Sequence, residues 1–74
     1  MSNTLTNQEK ITIIDQHIKS LDFLIYGLEI QLVQYNAAGI EDAQELERIT
    51  NSLSVLNAKK TALNAEKSPL VEEA

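Results

Sequence analysis

Seventy-four residues without cysteine, carrying eleven acidic and six basic side chains for a net charge of −5, make one small domain near the size where a single core is barely sufficient. Disulfides and thiolate metal sites are excluded, and one histidine cannot build a zinc site alone, which leaves oligomerisation as the remaining staple. The acidic balance disfavours nucleic acid, because the basic residues are scattered and only Lys59 and Lys60 are adjacent.

The opening residues, MSNTLTNQEK, lack the basic and apolar regions of a signal peptide. That favours the cytoplasm, or the host cytoplasm for a viral protein. No apolar run approaches the roughly 20 residues of a membrane span, so no membrane partner is expected.

Thr6-Asn7-Gln8-Glu9 is a capping-box pattern, with Thr6 at the N-cap and Glu9 at the third helical position. Ile11, Ile14, Ile18, Leu21, Ile25, Leu28, Leu32 and Tyr35 then recur at spacings of 3 and 4, an unbroken heptad stripe. The pattern predicts a helix over about 7–38, a rod of roughly 45 Å. Gly39 is placed to end it in the left-handed conformation, with Ile40 folding back as in a Schellman motif. Asp42, followed by Glu45, restarts a helix. Its stripe is Leu46, Ile49, Leu53, Leu56, Lys60 and Leu63, again at spacings of 3 and 4.

Pro69 disfavours a helical Ser68, so the second helix is expected over about 43–67. Residues 1–67 then form one helical-hairpin domain and 68–74 a short, acidic, disordered tail. A connection of about four residues between long helices implies antiparallel neighbours. The expected fold is all-α, an antiparallel two-helix hairpin.

Folding at Gly39 sets Leu32 near Leu46, Ile25 near Leu53, Ile18 near Lys60 and Ile14 near Leu63. One flank then aligns Asp15, Asp22 and Glu29 with the hydrogen-bond donors Asn64, Asn57 and Thr50. The other aligns Lys10 with Glu66 and Gln31 with Glu45. Lys60, the one charged seam residue of this set, is expected to lay its stem over Ile18 and reach Asp15 or Asp22.

With the seam facing inward, a second apolar set remains on the opposite side of helix 1: Phe23, Tyr26, Ile30 and Val33. Helix 2 has a matching remainder of smaller residues, Val55, Ala58, Ala62 and Ala65. A helix apolar on two faces is a buried helix. These eight residues are therefore the expected oligomer or partner interface. The expected assembly is a homodimer or a higher oligomer, the dimer being a four-helix bundle with each bulky stripe laid on the alanine stripe of the other copy by a two-fold axis.

The patterns that carry chemistry are missing. No Asp or Glu stands three or four residues from His17, so the histidine reads as a surface side chain rather than a metal ligand or general base. No Glu-x-x-His supports a di-iron bundle, and the isolated Gly27 and Gly39 make no phosphate-cradling loop. Gly27, with Ser20 one heptad earlier, instead leaves a smooth strip that another helix can approach closely. The expectation is no enzyme, no cofactor and no metal.

In topology such a hairpin resembles the plasmid-encoded Rop-type RNA binders and the small hairpin chaperones of type III secretion systems. No residue motif ties it to either, and its acidic balance departs from the RNA binders. The expected function is a structural or adaptor module whose main partner is itself. The alternative is a small regulator or chaperone, of the kind phages and mobile elements encode, that binds one host or cognate protein through the Phe23–Val33 face.

Overall fold

Thr6 sets the start of the first helix. In the computed structural model, which describes residues 4–73, its backbone is extended at φ −71° and ψ 162°. The Thr6 hydroxyl oxygen accepts the Glu9 N–H at 3.1 Å, while Glu9 Oε1 accepts the Thr6 N–H at 2.9 Å. Two donors that a helix start leaves without partners are thereby satisfied. These bonds, the one from the Thr6 backbone foremost, hold the Glu9 carboxyl below its ordinary pKa. Helix α1 then runs Asn7–Ala38.

Gly39 ends it at φ 70° and ψ 25°, a left-handed geometry that costs glycine little. Its N–H donates to Asn36 O at 3.3 Å, and the Ile40 N–H donates to Tyr35 O at 2.9 Å. That pair of bonds is the Schellman motif expected from the sequence. Helix α2, Ala43–Glu73, starts at Asp42, whose Oδ1 accepts the N–H groups of Gln44 and Glu45 at 3.1 and 3.2 Å. Glu45 does not complete a box. Its Oε1 accepts instead from Arg48 Nε at 3.0 Å and from the Tyr35 hydroxyl at 3.3 Å, which ties the end of α1 to the start of α2. The Arg48 guanidinium is the main cause that keeps the Glu45 carboxyl below its ordinary pKa.

The expected end of the second helix is corrected. α2 continues past Lys67 to Glu73 with Pro69 inside it, so 68–73 is helical rather than a disordered tail. Proline removes a backbone donor and strains the turn before it. Against that, the seam goes on: Lys67 and Leu70 extend the stripe by further steps of 4 and 3, and both are half-buried. Lys67 also binds Asp15 of α1. Tertiary pairing outweighs the local preference. Residues 1–3 of the expected domain and Ala74 of the expected tail lie outside the described residues.

The two helices lie against each other as a hairpin measuring 52 × 19 × 18 Å. Every residue of the expected seam is buried or half-buried, yet only Ile11 and Ile49 are buried, at 8% and 0% exposure. A two-helix layer has no third element to close over the seam, so most of its stripe stays half open to water. Lys60 binds Asp22 rather than Asp15. The expected side-chain bonds from helix 2 to the acidic flank are replaced: Thr50 and Asn57 donate to the carbonyls of Leu46 and Leu53, within their own helix. Such back-bonding is available to any short polar side chain on a helix and needs no partner across the seam.

Candidate functional site

The outward faces of both helices are where charge is scarce and apolar area is left over. On α1, Phe23, Tyr26 and Val33 are 61–70% exposed and Ile30 36%. On α2, Val55, Ala58, Ala62 and Ala65 are all exposed. Within one chain the two sets meet at one place. Phe23 and Val55 both line a groove of about 610 Å³ between the helices, together with Leu24, Gly27, Gln31 and Ser52. The remainder of each stripe points away from the other helix.

The groove exists because small residues face each other across the seam. A Cβ built on Gly27 would meet nothing within 4 Å. Ser52 on α2 is nearly as short, and the seam residues Leu28 and Leu56 complete the apolar lining. Phe23 is a ridge, since a second hollow beside Lys19, Asp22 and Tyr26 flanks it on the other side.

Leu24 and Gln31 belong to this surface and were not in the expected set. Leu24 is 57% exposed, and Gln31 Oε1 is buried with no hydrogen-bond partner. A signal was present: Leu24, Gly27 and Gln31 are spaced 3 and 4, one residue off the seam. The expected Gln31–Glu45 pairing does not form, because Glu45 is taken by Arg48 and Tyr35.

Two ion pairs join the helices, Asp22 and Asp15 of α1 meeting Lys60 and Lys67 of α2. Among the described residues no cluster of three or more His, Asp or Glu side chains is placed to hold a metal ion, and no helix is long and apolar enough to cross a membrane. His17 is exposed on α1. Chemically, the surface offers an apolar ridge beside an apolar groove and little else. Comparison with protein families, with curated proteins and with solved structures finds no match.

Proposed function

We propose that this chain is a non-enzymatic helical-hairpin module that associates with itself, a structural or adaptor element of the cytoplasm, and that two hairpins pair into a four-helix bundle. The interface draws on the outward apolar residues, Phe23, Tyr26, Ile30 and Val33 of α1 and Val55, Ala58, Ala62 and Ala65 of α2. One observation carries the reading: among the described residues two buried side chains, Ile11 and Ile49, are a small core for two helices of 32 and 31 residues. Chains this short lean on an added staple, and with no cysteine that staple is another protein surface. The uncharged, apolar outward face of α1 is the kind of surface that occupies the centre of an interface.

Light scattering tests the mass, and the melting temperature tests its coupling to folding, since a dimer melts higher as concentration rises. Ile30→Asp buries a charge without a partner in the proposed interface and should split the assembly with loss of helicity. Asp at the exposed Gln44, outside both stripes, is the control. If Ile30→Asp keeps the wild-type mass and melting temperature, this face does not hold an oligomer together. A chain that is monomeric at every concentration leaves the same face to one other protein, the regulator or chaperone reading.

A further inference from the structure

The outward face of α1 carries a second heptad stripe. Gln16, Ser20, Phe23, Gly27, Ile30 and Gln34 follow one another at spacings of 4, 3, 4, 3 and 4, and all six are exposed. None is charged, in a chain that is 23% charged. The spacing reads the same in both directions about the level of Ile25. The side-chain sizes are complementary about that level. Turning the helix end for end lays Phe23 over Gly27, Ile30 over Ser20 and Gln34 over Gln16.

We propose that two copies of this chain pair through α1, antiparallel, across a two-fold axis at the level of Ile25, with the Phe23 ring of each copy seated over Gly27 of the other. This rests on the self-association reading above and specifies its geometry. A two-fold interface uses one patch twice, so the patch must be complementary to itself, and this stripe is. The Phe23 ring, 70% exposed, stands as a ridge next to the groove that would receive its counterpart. The space over Gly27 is open to an incoming ring, and Val55 forms part of the far wall.

The residues beside the axis fit as well. Leu24 and Tyr26 would each meet its own copy, and both present apolar surface, at 57% and 65% exposure. At the outer pair, glutamine meets glutamine, each able to donate to and accept from the other. The areas agree. The chain exposes 5587 Å², whereas a compact protein of its mass exposes about 4,500 Å². The excess, about 1,000 Å², is the scale of one side of a standard interface, about 800 Å². Only a second copy necessarily brings the reversed order of the same stripe, which is why the occupant is this chain.

Because the chain has no cysteine, single introduced cysteines report on the pairing. Spin labels at Gln16→Cys and Gln34→Cys lie equally far from the axis, so each should give the same distance between copies, about 27 Å along the helix at a rise of about 1.5 Å per residue. Gly27→Phe sets ring against ring and should weaken the dimer at least about tenfold, a change of about 1.4 kcal/mol. Adding Phe23→Ala restores a large-on-small pair and should recover most of that loss, with helicity by circular dichroism unchanged throughout. Unequal label distances in a chain that still dimerises overturn this pairing and leave self-association standing, as would packing of α1 on the alanine stripe of the other copy. A double variant no better than Gly27→Phe also overturns it. A chain monomeric at every concentration overturns the pairing and the self-association together.

Discussion

Lys60 Nζ lies 2.7 Å from Asp22 Oδ1 across the seam, and one heptad on in α2 and one heptad back in α1, Lys67 Nζ lies 2.7 Å from Asp15 Oδ1. Both lysines occupy positions where an apolar residue would continue the stripe. Leucines there would tolerate a slip of one heptad with little change in burial. The lysines oppose a slip that brings Lys60 to Asp15, because it takes their carboxylate and ammonium partners from Lys67 and Asp22. A slip the other way, which brings Lys60 to Glu29, is opposed at the loop end. The two pairs act on register, together with the clip from Tyr35 and Arg48 to Glu45 at the loop end.

Their contribution to stability should be small. The side chains of Asp22 and Asp15 are 50% and 51% exposed, so water screens both pairs. A double-mutant cycle on Lys60→Ala and Asp22→Ala, read by urea unfolding, should give a coupling of about 0.2–1 kcal/mol that fades in high salt. A coupling well above about 2 kcal/mol would mean that something covers the pair which the single hairpin lacks.

Ile49, at 0% exposure, is the most completely enclosed side chain. Ile49→Ala should therefore cost the most of any seam truncation, on the order of 2–5 kcal/mol by thermal unfolding. Leu63→Ala, at a half-buried position, should cost clearly less. Equal costs at the two sites would place a covering surface over Leu63.

Gly39 is the hinge on which the hairpin depends. Its φ of 70° costs an ordinary residue about 1–2 kcal/mol, and a β-branched one is strained further. Gly39→Val should lower the melting temperature, while Gly39→Asn should be tolerated far better. A Gly39→Val protein that melts like the wild type would put the turn elsewhere.

These features were legible because each is local or strictly periodic. The Thr6 box, the Gly39 turn and the seam from Ile11 to Leu63 follow from side-chain chemistry within a few residues or from a repeat of seven. The end of α2 was not legible, because Pro69 speaks locally against helix while Lys67 and Leu70 speak for it only through what they touch on α1. The groove was partly legible. Gly27 marked a smooth strip, but the part played by Leu24 depends on Ser52, twenty-eight residues away in sequence, being short. The flank bonds of Thr50 and Asn57 were not readable at all, because a helix carbonyl one turn back always competes for them.

Acid should loosen both ends of α1 at once. The Glu9 and Glu45 carboxyls have folded-state pKa values below their ordinary 4.5. A depressed carboxyl stabilises the fold above its unfolded pKa, and that stabilisation is lost as pH falls through the lower, folded value. Their contribution to the melting temperature should hold steady from neutral pH down to about 5 and decline below about 4.5. Glu9→Gln keeps a capping acceptor without the charge or the titration, so it should melt below the wild type at pH 7 and lose less in acid. If its acid slope equals that of the wild type, the Thr6–Glu9 box contributes nothing to pH dependence.

Gly27→Ala separates helix propensity from packing at the same atom. In mid-helix the exchange should stabilise by about 1 kcal/mol, and in the single hairpin the new methyl meets nothing within 4 Å. At concentrations low enough to hold the chain as a monomer, the melting temperature of Gly27→Ala should therefore rise. At high concentration the gain should shrink or reverse, because the methyl occupies space that the Phe23 ring of a second copy fills. Paired melts at two concentrations read the difference directly. A gain of the same size at both would mean that Gly27 faces water in the assembled state, and that α1 meets its copy through some other face or not at all.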